Sequence, residues 1–258
     1  MNLIHAVLLG AVEGISEFLP ISSTAHLILT SALFALPQTE FQKSFEIVIQ
    51  LGAILAVVVL YARYILTRRD VWPKILVAFL PTAAIGFVVH SFAKRYLLGN
   101  VPLVLWTLLL GGIALVVFEW FHREKPDAAD DPAKISYSQA ALIGVFQSVA
   151  IIPGVSRSAA TIVGGLLLGI RRKTIVDFTF LLAIPTMAAA TVLDLAKSAW
   201  SFTPQEFALL GTGTAASFVV ALLSIVWLLR YIQRHSFMAF GVYRIIVVLV
   251  VWMYILVA

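Results

Sequence analysis

Two carboxylates, Glu13 and Glu17, stand four residues apart in an otherwise apolar stretch that runs into Phe18-Leu19-Pro20. On a helix that spacing puts both on one face. Charge inside an apolar segment is costly unless it pairs or binds a cation. Two carboxylates suit a hard divalent ion, Mg²⁺ or Ca²⁺, held by oxygen ligands. The plainer alternative is a structural pair, with one carboxyl protonated and bonded to the other or to an arginine. The neighbouring residues favour chemistry: Ser22, Ser23, Thr24 and His26 come just after Pro20. A histidine beside two carboxylates in a membrane cavity is an acid–base or nucleophilic candidate. His5 and His90 lack such neighbours and are given no role.

A second cluster reads Pro153-Gly154-Val155-Ser156-Arg157-Ser158-Ala159-Ala160-Thr161. A helix starting at Ser156 points free N–H groups at whatever precedes it. The hydroxyls of Ser156, Ser158 and Thr161 join them, and Arg157 adds a planar cationic fork, so the pattern describes a phosphate site. A helix starting at Ser22 offers the same arrangement with Ser22 and Thr24. Glu46 and Gln50 share a helix face and either line the site entrance or form an interfacial hydrogen-bond pair. Arg244, within snorkelling reach of the inner surface, and Asp194, near an outer boundary, are assigned no role.

The elements that must carry these residues are membrane helices. The chain has 258 residues, 61% hydrophobic and 12% charged, and a mean hydropathy of +1.01. A soluble domain of this size needs far more charge to cover its surface. The N-terminus has no basic region and no A-x-A site, so no cleaved signal is expected. With no cysteine, disulfides and Cys-ligated zinc or iron–sulfur sites are excluded. The formal charge of +5 reports basic cytoplasmic loops and not nucleic-acid binding.

Six segments read as full spans: 45–62, 75–92, 101–121, 174–196, 205–229 and 239–257. Four shorter arms, 2–18, 22–36, 137–152 and 156–170, reach only roughly 22–26 Å against a hydrocarbon core about 30 Å thick. They carry the polar clusters and pair into two hairpins, 2–36 and 137–170, broken at Phe18-Leu19-Pro20 and at Pro153-Gly154. Re-entrant hairpins fit them better than four more spans, because irregular backbone at membrane depth survives only beside protein or a wet cavity.

A polar, water-exposed linker, 122–136, separates two similar halves. Gly10-x-x-Glu13 matches Gly144-x-x-Gln147, and Ser22-x-x-Ala25 matches Ser156-x-x-Ala159, both at an offset of 134. Phe45 pairs with Phe178, and Thr82-Ala83-Ala84 with Thr214-Ala215-Ala216, at nearly the same offset. The fold expected is an all-α polytopic membrane protein with an inverted-topology repeat. Each half holds one re-entrant helix hairpin plus three transmembrane helices: 1–121 is the first repeat and 137–258 the second. Charge sets the orientation. With the termini outside, the inner loops hold Arg63, Arg68, Arg69, Lys74, Arg123, Lys125, Lys134, Arg171, Arg172, Lys173, Arg230 and Arg234, and the outer loops only Lys43, Lys94, Arg95 and Lys197. Twelve against four is a clear positive-inside bias.

Glu-x-x-x-Glu followed by P-x-S-S-T-x-H, then Phe45-Glu46-x-x-x-Gln50-Leu51-Gly52, then P-G-x-S-R-S-x-x-T, resembles the undecaprenyl-diphosphate phosphatases, also called bacitracin-resistance proteins. The resemblance covers the whole chain. It implies an enzyme of the bacterial plasma membrane that removes the terminal phosphate of undecaprenyl diphosphate and so recycles the cell-wall lipid carrier. It also implies metal or acid–base roles for Glu13 and Glu17, catalytic roles for Ser23 and His26, and phosphate contacts from Ser156, Arg157, Ser158 and Thr161. Ala25 and Ala159 depart from the pattern, which generally has Gly at both places; each adds a methyl but removes no functional group.

The partners expected are a polyprenyl diphosphate lipid and the bilayer, with a homodimer left open and no nucleic acid; the active site is expected to face the outer side. Ser23 is expected to attack the phosphorus with His26 assisting, since three consecutive hydroxyls already sit where phosphate binds. A secondary transporter or flippase of an anionic polyprenyl phosphate lipid is the alternative, because inverted repeats and broken helices also mark carriers. The clustered Glu pair, Ser, His and Arg separate the two, as a carrier does not require them.

Overall fold

The computed structural model describes residues 1–97, 100–125 and 128–257, apart from the side chains of His90, Ser91, Lys94 and Val257. Lys94 of the outer charge count, the ring of His90, and Pro126 and Asp127 of the linker therefore fall outside the described residues. The helices are α1 (Leu3–Ser16), α2 (Ser23–Leu33), α3 (Glu40–Val48), α4 (Gln50–Leu60), α5 (Ala62–Thr67), α6 (Trp72–Phe92), α7 (Val101–Phe121), α8 (Tyr137–Ser148), α9 (Arg157–Leu167), α10 (Arg172–Ser198), α11 (Pro204–Tyr231) and α12 (Met238–Val257).

Six stretches are long and apolar enough to cross a membrane: Glu40–Leu60, Trp72–Val89, Val101–Phe121, Arg172–Ser201, Pro204–Tyr231 and Met238–Leu256. They match the six expected spans, the first being α3 and α4 in near continuation. Phe87, Val88, Trp120, Phe121 and Leu223 are each at least 70% exposed on the outer surface of the bundle. In water such a surface would aggregate, whereas in a bilayer it is the lipid-facing side.

The four short arms are α1, α2, α8 and α9, of 14, 11, 12 and 11 residues. A capping box between Ser136 and Gln139 starts α8, and one between Thr203 and Glu206 starts α11. The breaks fall where the prolines predict. At each, a serine caps the next helix from a left-handed backbone: Ser22 has φ 72° and Ser156 φ 73°. Their hydroxyls accept from the backbone N–H of Ala25 and Ala159 respectively. For a residue with a side chain that conformation costs on the order of 1–3 kcal/mol, and it persists where the surroundings impose it.

Between membrane helices there is little hydrophobic drive, so close backbone approach through small residues matters. Gly10 and Gly14 let α1 rest on the backbone of α11 at Gly213 and Ser217. Gly52 brings α4 against α11 at Thr214, and Gly144 brings α8 against α6 at Ala78. Gly112 and Gly241 join α7 to α12.

The loops assigned to one side meet at one end of the bundle. Arg68 donates to Asp131 (2.8 Å) and Asp70 (3.2 Å), which holds both carboxyls below the usual range. Arg172 forks onto the buried Glu119 and lies over the Phe237 ring. At the opposite end Phe41 packs edge-on against Phe202, and the Ser44 and Ser198 hydroxyls meet at 3.1 Å. The linker is less free than its polarity suggests. Ala129 exchanges backbone hydrogen bonds with Gly169 and Arg171, and Ala128, Pro132 and Ile135 are buried.

Candidate active site

The two broken hairpins bring their polar residues together. A cavity of about 190 Å³ is lined by Glu17, Ser22, Ser23, Thr24 and Gln50 from the first half, and by Gly154, Ser156, Arg157 and Thr186 from the second. Glu17, which caps α1, is its centre. One carboxylate oxygen accepts from Arg157 Nη2 at 2.9 Å and the other accepts from the Ser23 hydroxyl. Arg157 also donates from Nη1 to the Thr179 carbonyl (3.4 Å), while its Nε has no partner. A serine hydroxyl, a carboxylate and a planar cation thus converge at the cavity.

The expected partnership of Ser23 with His26 is not formed. Both ring nitrogens of His26 are engaged elsewhere, Nδ1 with the Ser22 carbonyl (2.8 Å) and Nε2 with the Tyr243 hydroxyl (3.0 Å). The carbonyl can only accept, so Nδ1 carries the proton and Tyr243 donates to Nε2. The proton acceptor beside Ser23 is Glu17.

Two further expectations need correcting. Ser158 and Thr161 do not reach the cavity: Ser158 donates to the Phe18 carbonyl (2.9 Å), and Thr161 to the carbonyls of Arg157 and Ser158 (3.0 Å each). Both side chains are fully buried, on the faces of α9 that lock against the first break and against Thr179. Of the pair proposed for the entrance, Gln50 lines the cavity but Glu46 does not. It accepts from Ser31 (2.7 Å) and Gln42 (3.0 Å) in a separate buried cluster.

Glu13 is fully buried one turn before Glu17; no N–H or hydroxyl satisfies its carboxylate oxygens, and its carboxyl lies within hydrogen-bond reach of that of Glu17. An unsatisfied buried carboxylate with a second one beside it fits a hard cation. Among the described residues no group of three His, Asp or Glu gathers. Glu13 and Glu17 could therefore supply only part of a six-oxygen shell, with water and phosphate completing it.

Residues given no role at first include one that matters here. Arg244 does not snorkel; it is fully buried and donates to the Gly154 carbonyl (2.6 Å) in the loop before Ser156. The available signal was a charge inside an apolar helix. Asp194 is also fully buried, and it accepts from Ser198 (3.2 Å). His5 stacks on Phe34, as a packed histidine would.

A second, mostly apolar cavity of about 630 Å³ adjoins the first. It runs along α6, α8 and α10 past Phe79, Phe87 and Leu193, and shares Thr24, Ala150, Arg157, Thr186 and Ala190 with the polar one.

Comparison with known proteins identifies the family. Residues 6–250 match the family model described as bacitracin resistance protein BacA. An undecaprenyl-diphosphatase of Aquifex aeolicus is 51% identical over 246 residues, 95% of this chain and 96% of that protein. Those of Sulfurihydrogenibium sp. and Wolinella succinogenes are 48% and 45% identical, each over 95% of this chain and 96% and 95% of their own length respectively. A match spanning both polar breaks and all six long helices is not a shared fragment, and this multi-pass membrane protein belongs to the bacitracin resistance protein BacA family.

Proposed function

We propose that the protein is an integral membrane phosphatase that hydrolyses undecaprenyl diphosphate to undecaprenyl phosphate and inorganic phosphate, returning the lipid carrier to cell-wall synthesis. The observation that carries this reading is the junction of the two cavities. The diphosphate head fits the polar one beside Arg157, Glu17 and Ser23, and the first isoprene units follow the apolar groove. The rest of the chain stays in lipid. A carrier of the same lipid would have no need of a serine hydroxyl bonded to a carboxylate.

In the reaction, the Ser23 oxygen attacks the terminal phosphorus and passes its proton to Glu17. The bond from that phosphorus to the bridging oxygen breaks, and its electron pair leaves with polyprenyl phosphate. Glu17 hands that proton to the departing polyprenyl phosphate. Water then attacks the phosphoserine; the freed Glu17 carboxylate takes the water's proton and returns it to the Ser23 oxygen as its bond to phosphorus breaks, releasing inorganic phosphate and restoring Ser23. Arg157 and the N–H groups opening α9 stabilise charge on the transferring phosphoryl group. Glu13 and Glu17 would hold a divalent cation, Mg²⁺ or Ca²⁺, whose chemistry when bound is to neutralise diphosphate charge. His26, held by Ser22 and Tyr243, positions the start of α2.

We further infer an inverted repeat with both hairpins re-entrant. The packing supports it: α1 lies on α11 as α8 lies on α6, and α4 on α11 as α10 on α6. Gly10 faces Gly213 as Gly144 faces Pro81, and the two strained serines are 134 residues apart. The charge bias supports both termini on the outer side of the plasma membrane. The apolar cavity reaches Ala93 and Ala196, beside the loops assigned to that side, which supports a site that opens there. With no native cysteine, single-Cys labelling tests this. Cysteine at the exposed Gln38 should react with an impermeant reagent on intact cells, and cysteine at the exposed Arg69 should not. Reaction at position 69 alone would invert the orientation.

The activity itself is tested by following phosphate release from a polyprenyl diphosphate with purified protein, with and without chelator. Release that falls with chelator and returns with Mg²⁺ or Ca²⁺ is expected. Lipid movement across vesicles without release would favour the carrier.

A further inference from the structure

Arg244 is a fully buried cation that forms no ion pair with a carboxylate among the described residues. Its Nη2 donates to the Gly154 carbonyl at 2.6 Å, with longer contacts of 3.4 Å to the carbonyls of Val155 and Thr107, and its Nε has no partner. Burying a guanidinium without a counter-charge is unfavourable, so something must require it. Its surroundings are shaped to hold it. Gly111 and Gly112 of α7 leave the space that the side chain fills, and a Cβ at Gly111 would collide with the end of the guanidinium. From the same helix Thr107 donates to the Pro153 carbonyl at 2.6 Å. Three successive carbonyls, 153 to 155, are therefore gripped by α7 and α12.

We infer that Arg244 is a positioning residue for the phosphate site, holding the Gly154 and Val155 carbonyls away from the cavity so that the N–H groups and Arg157 at the start of α9 face it. A peptide's C=O and N–H point in opposite directions. Fixing the Val155 carbonyl on Arg244 turns the Ser156 N–H the other way and keeps a carbonyl's negative end from facing the anion. The strained backbone of Ser156, φ 73°, is the conformation this grip maintains. The adjacent Tyr243 donates to His26 at the other break, so one turn of α12 contacts both.

This rests on the phosphatase reading for its substrate but not for its test, which measures binding of inorganic pyrophosphate to the purified protein by calorimetry, alongside thermal unfolding and turnover. Arg244→Lys keeps a charge but loses the fork. Gly111→Ala keeps every functional group and pushes the guanidinium off its carbonyls, at a low cost to the fold because the displaced atoms end a flexible side chain. Both variants are expected to bind pyrophosphate at least about 10-fold more weakly and to lose about 10²-fold in kcat, the scale of a 1 Å misplacement, while Gly111→Ala unfolds close to the parent temperature. Parent-like pyrophosphate binding in Gly111→Ala, or in an Arg244→Lys protein that merely melts lower, would reduce Arg244 to a structural residue. If the parent binds pyrophosphate but releases no phosphate from polyprenyl diphosphates, the phosphatase reading fails and the inference about Arg244 is still decided by binding. A parent that binds no pyrophosphate would overturn both.

Discussion

Ser23→Ala is expected to lower phosphate release on the order of 10⁴-fold or more, the scale seen when an attacking hydroxyl is removed from a set of groups acting together. The hydroxyl already donates to Glu17, so its proton acceptor is in place before substrate arrives. Glu17→Gln should cost about 10²–10⁴-fold, because an amide keeps the shape but can neither take the proton nor help hold a cation. His26→Gln should cost less, because both ring nitrogens are already engaged, by the Ser22 carbonyl and the Tyr243 hydroxyl. A turnover reaction carrying labelled terminal phosphate, quenched and examined for labelled protein, reads the chemistry directly. Label stable to acid and released by alkali identifies phosphoserine. Label with the opposite behaviour would move the attack to His26. No trapped label, with Ser23→Ala inactive, would favour direct attack by water.

The carboxylate, the arginine and the two serine caps were legible in the chain because each depends on short-range spacing. Proline and glycine punctuate the arms, and a serine before an apolar helix is a cap whatever surrounds it. The Ser23 to Glu17 bond was not legible. It joins residues on either side of a break whose course is set by the left-handed Ser22, and no periodicity reports that angle. The pattern at Ser158 and Thr161 misled for a related reason. Spacing shows that they sit three apart on α9, but only packing decides that those hydroxyls turn to Phe18 and to the carbonyls of their own helix, close to Thr179. Arg244 was dismissed on reach alone. Its burial depends on Gly111 and Gly112 of another helix, a relation between segments more than 130 residues apart.

Arg157 is the residue where charge and geometry can be told apart. Its guanidinium holds Glu17 through one nitrogen and the Thr179 carbonyl through another, so it presents a fixed plane to the cavity. An ammonium at the same place could satisfy Glu17 or a phosphate oxygen, but it could not offer a fork to both. Arg157→Lys is therefore expected to be nearly as inactive as Arg157→Ala, both about 10²–10³-fold below the parent in kcat, the scale for losing a preorganised donor to the transition state. Stability should separate them. Alanine leaves Glu17, 7% exposed, without its counter-charge, and breaking a buried pair from one side costs about 3–5 kcal/mol; lysine keeps the charge and should unfold close to the parent. Measuring kcat beside thermal unfolding for the two variants gives the answer. Equal loss of activity with unequal stability is the signature of a planar phosphate clamp. Near-normal turnover in the lysine variant would show that Arg157 supplies only charge, and activity that tracked stability in both would make it a prop for Glu17.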